Sequence, residues 1–242
     1  MAINANSAPQ IRGDALDFYL SQGYYRMHQD LFTCQFLHLD GAYHTTHWLR
    51  LVLGRVQYGK EQLRLLRTNA RFATTIKPFA LTDELEQLYA DYRTSITFDA
   101  PETVEAFLLA GSAHNVFNTQ VLEVRDGERL IAAGIFDLGR RSMAGIMNFY
   151  HPDYRKFSLG KYLMLLKIDH ALSRQQTHYY PGYVVHDYPK FDYKLFPCPA
   201  ATEVFDSLLG IWLPFSWEVV AKQSAQLMAA LQDEDPTALN LE

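Results

Sequence analysis

Residues 148–162 read NFYHPDYRKFSLGKY, and this stretch decides the fold. It starts as the end of an apolar strand, turns at a proline, carries the cationic pair Arg155 and Lys156, and enters a helix after Ser158. The first turn of a helix has unpaired N–H groups and the positive end of the helix dipole. Gly160 in that turn would let a ligand approach the backbone. The stretch therefore predicts an anion-binding site for a phosphate or a terminal ribose-phosphate, and the alternative is an ordinary helix start with two solvated cations.

Helix and strand patterns surround this stretch. Asp126-Gly127 predicts a tight turn, Thr82 opens a capping-box-like helix start, and Ser158 is a good N-cap for the long helix. Helices are predicted over residues 14–22, 60–71, 82 onward, 101–111, 159–175 and 222–233. Strands are predicted over residues 31–39, 48–53, 72–79, 118–124, 129–137, 142–150 and 179–186.

The order of these elements predicts an α+β protein. From residue 82 the chain has two helices, three antiparallel strands, a long helix and one more strand. That order is similar to a GNAT-type acyltransferase fold, which has a mixed, mostly antiparallel sheet. In that fold the strand after the long helix diverges from its neighbour and leaves a V-shaped cleft. We predict a small strand-containing N-terminal module over residues 1–71 and a GNAT-like domain over residues 72–242.

Composition limits the function classes. The chain has 242 residues, 48% of them hydrophobic and 14% aromatic, with a formal net charge of −5. This excludes a disordered chain, and mild acidity gives no global attraction to nucleic acid. RNA contact would need a local basic patch, and Arg64, Arg67 and Arg71 form one on a single face of the predicted helix. The alternative is a solvated helix face.

Metal and membrane signals are weak. Two cysteines, Cys34 and Cys198, are too few for a disulfide framework, a four-thiolate zinc site or an iron–sulfur cluster. His44 and His47 are loosely spaced without a nearby acidic partner, so we predict no metal site. No apolar run approaches the ~20 residues that span a bilayer, and residues 1–10 look like a loose terminus and not a signal peptide. We expect a cytoplasmic protein without membrane contact.

A second polar stretch follows the long helix. Residues 179–194 read YYPGYVVHDYPKFDYK, in which a buried-looking strand runs into a loop with hydroxyl, imidazole, carboxylate and ammonium groups. Polar groups gathered at the end of a strand are typical of a functional site. The alternative is an amphipathic loop that uses its tyrosines as packing anchors.

Together the two stretches resemble the C-terminal half of the arginyl-tRNA–protein transferase family, including the bacterial relatives that transfer leucine to acidic N-termini. The resemblance covers roughly residues 64–195. The matching pieces are Phe149-Tyr150, Pro152-Asp153-Tyr154, Phe157-Ser158-Leu159-Gly160 with Tyr162, Tyr179-Tyr180, Gly182-Tyr183, Pro189-Lys190 and Tyr193-Lys194. The chain departs from the family in lacking its N-terminal cysteine cluster and in carrying Asp192 within the last motif.

The resemblance implies transfer of an amino acid from aminoacyl-tRNA to the α-amine of a protein N-terminus, without a metal or cofactor. His186 and Asp187 are then the candidates for the base, because the attacking amine must lose a proton. Tyr150, Tyr183 and Tyr193 would donate to an oxyanion or relay the proton. The residues implied to bind substrate are Tyr150, Arg155, Lys156, Ser158, Gly160, Lys190 and Lys194.

Two other functions stay open. The first is a CoA-dependent N-acetyltransferase, although a single glycine followed by the large Tyr162 would crowd the route of the pyrophosphate. The second is a relative that binds tRNA or protein N-termini without transfer, since the cysteines are missing and Asp192 brings a negative charge. The sequence leaves open the amino acid carried, the accepting N-terminal residue and the oligomeric state.

Overall fold

The computed structural model describes residues 10–97 and 100–234. The prediction of a loose N-terminus over residues 1–10 therefore lies almost wholly outside the described residues. The α-helices are α1 (Asp14–Ser21), α2 (Lys60–Asn69), α3 (Asp83–Thr94), α4 (Val104–Leu108), α5 (Leu159–Ser173) and α6 (Trp217–Glu234). The strands are β1 (Tyr25–Met27), β2 (Asp30–Phe32), β3 (Phe36–Leu39), β4 (Ala42–Val52), β5 (Ala73–Pro78), β6 (Thr119–Asp126), β7 (Arg129–Leu138), β8 (Ser142–Tyr150), β9 (His178–Val185), β10 (Thr202–Asp206) and β11 (Ile211–Pro214).

One large sheet organises the molecule. Within the described residues it has nine strands, in the order β11-β10-β4-β9-β8-β7-β6-β5 with β3 paired to β4. Adjacent strands in this sheet pair antiparallel, except that β8 and β9 pair parallel. The prediction of an α+β fold with a mixed, mostly antiparallel sheet is confirmed. The division after residue 71 stays a prediction, and β4, from the N-terminal side of it, pairs with β9 and β10.

The centre of the sheet is the meander β6–β8. Gly127 has a φ of +59° and so allows the tight turn between Asp126 and Arg129 that the sequence predicts. Helix α5 covers one face of the meander and contributes Leu159 and Leu163 to the core. Helices α3 and α4 cover the other face. Burial on both faces fixes β7 and β8, and therefore fixes the position from which β8 leads into α5.

Strands β8 and β9 separate after a short paired segment. Their parallel pairing extends only over Ser142–Ala144 and His178–Tyr180. From Gly145 onward the two strands diverge, and the gap between them is the V-shaped cleft that the sequence predicts. The cleft opens toward the start of α5 on one side and toward the loop after β9 on the other.

Several local predictions need correction. Ser158 does not cap α5 with its side chain, because it has a left-handed φ of 50° and joins the 3₁₀ turn Pro152–Phe157 directly to the helix. The helix predicted over 101–111 shortens to α4, which Thr103 caps through the Ala106 N–H. The strand predicted over 31–39 is two separate strands, β2 and β3, and α6 starts earlier than predicted. Thr82 does cap α3, since its hydroxyl accepts from the Leu85 N–H at 3.2 Å.

Candidate active site

Tyr25 closes the vertex of the cleft. Its hydroxyl lies against the Gly145 carbonyl oxygen and 3.2 Å from the Tyr180 carbonyl oxygen. Backbone carbonyls lose their ladder partners where two strands part, and a buried carbonyl needs another donor. Burial raises the pKa of Tyr25 well above its usual value, so the phenol keeps the proton that it donates. A residue of β1 therefore holds the two diverging strands at a fixed separation.

We expect Tyr25→Phe to lower the free energy of unfolding by about 1–3 kcal/mol, because it leaves a buried carbonyl without a donor. Urea-induced unfolding measures the change. Tyr24→Phe is the matched control, since Tyr24 is 40% exposed, and its effect should stay within about 0.5 kcal/mol. Equal effects of the two substitutions would contradict the assigned role of Tyr25.

A cluster of tyrosine hydroxyls fills the cleft. The Tyr193 hydroxyl lies close enough to those of Tyr25, Tyr92, Tyr179 and Tyr183 to raise the pKa of each, because two phenolates would repel one another. Burial is the larger cause and takes the pKa of Tyr92 and of Tyr183 to about 12. All the members are therefore hydrogen-bond donors at neutral pH. Such donors can stabilise negative charge that develops on a carbonyl oxygen.

Tyr193 faces both the cleft and solvent. Its side chain is 50% exposed, while burial raises the pKa of its hydroxyl. The hydroxyl end therefore points inward to the cluster, and the outer edge of the ring meets water. The structure brings the predicted pair Tyr183 and Tyr193 together in this cluster. It adds Tyr25, Tyr92 and Tyr179, which were not among the predicted site residues.

The start of α5 forms one wall of the cleft. Gly160 faces the Tyr150 ring, and a Cβ atom on Gly160 would lie 3.6 Å from Tyr150 Cε1. The Tyr150 ring lies 5.4 Å from that of Tyr92, which connects the helix start to the hydroxyl cluster. Arg155 and Lys156 are exposed on the preceding 3₁₀ turn. The predicted anion-binding residues thus border the cleft, with the two cations at its outer rim.

A basic surface continues from this rim. The guanidinium of Arg71 lies 4.6 Å from the centre of the Phe157 ring, and the Lys156 ammonium lies 5.2 Å from the same ring. Asn69 donates to the Phe157 carbonyl at 3.0 Å and fixes the end of α2 against this turn. Arg64 and Arg67 are exposed along α2. The predicted basic stripe is therefore adjacent to Arg155 and Lys156.

The 3₁₀ turn Pro189–Leu195 forms the opposite wall. Lys194 is buried and its Nζ donates to the Tyr183 carbonyl at 2.8 Å. Burial lowers the pKa of Lys194 to about 7, against the opposing effect of Asp192. This contact holds the turn onto β9. Lys194 as a phosphate or carboxylate ligand stays a prediction, and so does Lys190, which is exposed on the same turn.

Asp192 carries a negative charge into this wall. Its Oδ1 is buried and has no hydrogen-bond partner within residues 10–97 and 100–234. Burial is the larger cause acting on its carboxyl and raises the pKa, while Lys194 acts in the opposite direction. Asp192, one of the two departures from the family pattern, therefore lies beside the cleft.

His186 and Asp187 lie at the open end of β9. The His186 Nδ1 is 3.4 Å from Asp187 Oδ2, and the Asp187 side chain is 82% exposed. The His186 backbone N–H donates to the Thr45 carbonyl at 3.1 Å. In the part of the chain that is described, no hydrogen bond or ion pair joins His186 to Tyr183 or Tyr193. The predicted base therefore stands at the mouth of the cleft, and its catalytic role stays a prediction.

His47 has a structural role. His47 is buried between the Thr45 hydroxyl at 2.9 Å and the Gln223 side-chain oxygen at 3.0 Å, and burial lowers its pKa to about 4. The described residues contain no group of three or more His, Cys, Asp or Glu side chains suited to a metal. Cys34 and Cys198 are both free.

Tyr162 requires a correction. From the sequence we expect its side chain to crowd the route of a CoA pyrophosphate, but Tyr162 is 3% exposed and belongs to the core between α5 and the sheet. At its position in α5 the side chain faces the sheet and not the cleft. It therefore provides no evidence against CoA.

A sheet that opens between β8 and β9, with a helix start at the edge of the opening, defines the GNAT-type acyltransferase fold. Residues 84–199 match the family model described as "Arginine-tRNA-protein transferase, C terminus". This segment of the chain is therefore similar to the C-terminal part of that family, which confirms the resemblance seen in the sequence.

Two curated proteins share sequence similarity with part of the chain. An aspartate/glutamate leucyltransferase of Marinobacter nauticus is 29% identical over 152 residues, which are 60% of this chain and 62% of that protein. One from Pseudomonas savastanoi is 29% identical over 141 residues, which are 56% of this chain and 58% of that protein. The chain thus matches about three-fifths of the length of these relatives.

Two solved structures are similar to the chain at lower sequence identity than these relatives. The C-terminal domain of a putative lysylphosphatidylglycerol synthetase from Agrobacterium fabrum has a TM-score of 0.44 at 13% identity, covering 57% of this chain and 46% of that one. FemX has a TM-score of 0.41 at 10% identity, covering 75% of this chain and 64% of that one. Separately, none of the helices among the described residues has the length and apolar character needed to cross a membrane.

Proposed function

We propose that this protein transfers an amino acid from aminoacyl-tRNA to the α-amine at the N-terminus of a protein or peptide. One observation carries the proposal: the family match over residues 84–199 includes both walls of the cleft. The first wall is the segment from Tyr150 to Gly160, and the second is the turn Pro189–Leu195. The names of the relatives suggest leucine as the amino acid and an N-terminal aspartate or glutamate as the acceptor.

The cleft offers groups for each requirement of the reaction. The aminoacyl ester is already activated, so the protein must orient two large substrates, stabilise an oxyanion and remove one proton. Arg155, Lys156 and the stripe on α2 would bind the tRNA backbone. The hydroxyl of Tyr193 would donate to the oxyanion. His186 with Asp187 is the predicted base at the mouth of the cleft.

A transfer assay tests the proposal. The purified chain is mixed with labelled leucyl-tRNA and with peptides that differ only in the first residue, and incorporation of label into peptide is measured. Label on peptides that start with Asp or Glu supports the proposal. Binding of charged tRNA without incorporation from any of a panel of charged tRNAs would instead favour a protein that binds without transfer. Thermal stabilisation by acetyl-CoA, together with acetylation of a peptide, would favour the acetyltransferase.

We expect Arg155→Ala to raise the KM for charged tRNA and to leave kcat nearly unchanged. The side chain is exposed at the rim, so it contributes to phosphate binding and not to the chemical step. The slope of log KM against log salt should fall in magnitude by about 1.

Arg174→Ala is the matched control for Arg155→Ala. Arg174 is an exposed arginine that caps the C-terminal end of α5, whereas Arg155 precedes the N-terminal end of that helix. It carries the same charge but lies far from the cleft, so its substitution should leave both KM and the salt dependence close to those of the unmodified protein. If the two substitutions change KM equally, the start of α5 is not the tRNA-binding site.

A further inference from the structure

A buried lysine lies beneath the vertex of the cleft. Lys167 is in the middle of α5 and is 1% exposed. It follows Leu159 and Leu163 at a spacing of one helical turn, so it projects from the face of α5 that packs on the sheet. Lysine is almost never fully buried unless it is paired. No ion pair within residues 10–97 and 100–234 includes Lys167.

The Lys167 amine and the Tyr179 hydroxyl converge on Gly145. A Cβ atom on Gly145 would lie 3.2 Å from Lys167 Nζ and would overlap with the Tyr179 hydroxyl. Gly145 is also the residue at which β8 leaves β9. The missing side chain therefore provides the space that the amine and the phenol share. Tyr193, which is half exposed, lies near enough to Tyr179 to raise the pKa of the Tyr179 hydroxyl.

The surroundings keep the amine neutral over part of the physiological range. Burial lowers the pKa of Lys167 to about 7. The nearest carboxylate along α5, Asp169, accepts a hydrogen bond from the Tyr58 hydroxyl at 2.9 Å. Titratable groups on the elements around Lys167 include Tyr179 on β9, Tyr193 and Lys194 on the 3₁₀ turn, Tyr58 before α2, Asp137 on β7, and Tyr162, Asp169 and His170 on α5 itself.

We propose that Lys167 receives the proton that the acceptor α-ammonium must lose before it attacks, and that Tyr193 and Tyr179 relay this proton. This role rests on the proposed transfer function. Lys167 touches no substrate atom in this scheme and acts through Tyr193 and Tyr179. It is therefore a positioning residue and not a catalytic residue. The predicted base His186 is a competing route at the other end of the cleft.

The proton leaves the acceptor amine before the new C–N bond forms. The α-ammonium gives a proton to the Tyr193 oxygen, Tyr193 gives its own proton to Tyr179, and Tyr179 gives its proton to Lys167 Nζ, with water bridging the gaps between these groups. The freed amine forms the C–N bond to the ester carbonyl, and the bond between that carbon and the ribose oxygen breaks. The ribose oxygen takes the second amine proton. Lys167 later releases its proton to solvent.

The test compares the pH dependence of transfer by the unmodified protein, Lys167→Met and Lys167→Arg. Removal of a general base costs about 10²-fold or more near neutral pH. Without the relay only the free α-amine reacts, and its pKa is about 7.7–8.0. We expect both variants to lose about 100-fold at pH 7 but less than about 10-fold near pH 9. Arginine should not rescue, because a guanidinium stays charged.

The control is Lys222→Met, which removes an exposed lysine from α6 and should leave the pH profile unchanged. Lysine labelled with ¹³C at Cε gives an independent readout, since a resonance titrating near neutral pH should disappear in Lys167→Met. Active variants with an unchanged pH profile, or a Lys167 resonance that titrates only in the alkaline range, overturn this role alone. A chain that transfers no amino acid at any pH overturns both this role and the proposed function.

Discussion

Tyr193→Phe is expected to lower kcat for amino-acid transfer by about 100-fold and to change KM little. Loss of a single donor to a developing oxyanion costs about 10²–10³ in kcat. The substitution removes only the hydroxyl, which points inward to the tyrosine cluster, and leaves the half-exposed ring in place. Single-turnover transfer from charged tRNA to a peptide measures the chemical step.

Tyr188→Phe is the matched control for Tyr193→Phe. Tyr188 lies at the start of the same turn, and its hydroxyl interacts with Asp40, away from the cluster. Its loss should leave kcat nearly unchanged. If both variants transfer at the normal rate, the Tyr193 hydroxyl has no part in the chemistry.

His186→Ala adds a comparison with the sequence-predicted base. If His186 is the base, its loss should lower kcat far more than it changes substrate affinity. A larger loss of kcat for His186→Ala than for Lys167→Met would place proton removal at the mouth of the cleft. A change in affinity alone would remove His186 as the base.

Asp137→Ala is expected to lower the free energy of unfolding by about 3–5 kcal/mol, because it leaves a buried cation without its partner. Asp137 and Arg26 form an ion pair at 3.0 Å, with side chains 0% and 2% exposed. Thr119 also donates to the carboxylate at 2.6 Å. A loss of this size is a large part of the about 5–15 kcal/mol that stabilises a typical domain. Urea-induced unfolding of purified variants measures it.

Arg140→Ala is the control for Asp137→Ala. Arg140 and Asp14 form an ion pair at 3.1 Å, but both side chains are about 70% exposed (72% and 69%). Exposed pairs contribute about 0–1 kcal/mol, so little stability should be lost. The double substitution Arg26→Met with Asp137→Leu should recover much of the loss, since no charge is then buried alone. If Asp137→Ala is as stable as Arg140→Ala, the buried pair does not hold β1 to β7.

The regular elements near the cleft could be predicted from local sequence. Asp126-Gly127 specifies a tight turn, Thr82 specifies a helix start, and both act within a few residues of the chain. Ser158 shows where local rules fail: its residue type favours a cap, but the preceding 3₁₀ turn imposes a left-handed backbone instead. Lys167 shows a missed signal, since its spacing from Leu159 and Leu163 already placed it on the buried face of α5.

The sequence by itself determined the α+β fold, the order of the strands around α5 and the two motifs that border the cleft, because turn residues, caps and hydrophobic periodicity act locally. Only the tertiary structure decided that Tyr25, Tyr92 and Tyr179 lie near enough to Tyr193 to have their pKa values raised by it, and that Lys167 lies against Gly145. These groups are far apart along the chain, and their approach depends on where β8 and β9 stop pairing. That point is set by packing on both faces of the sheet.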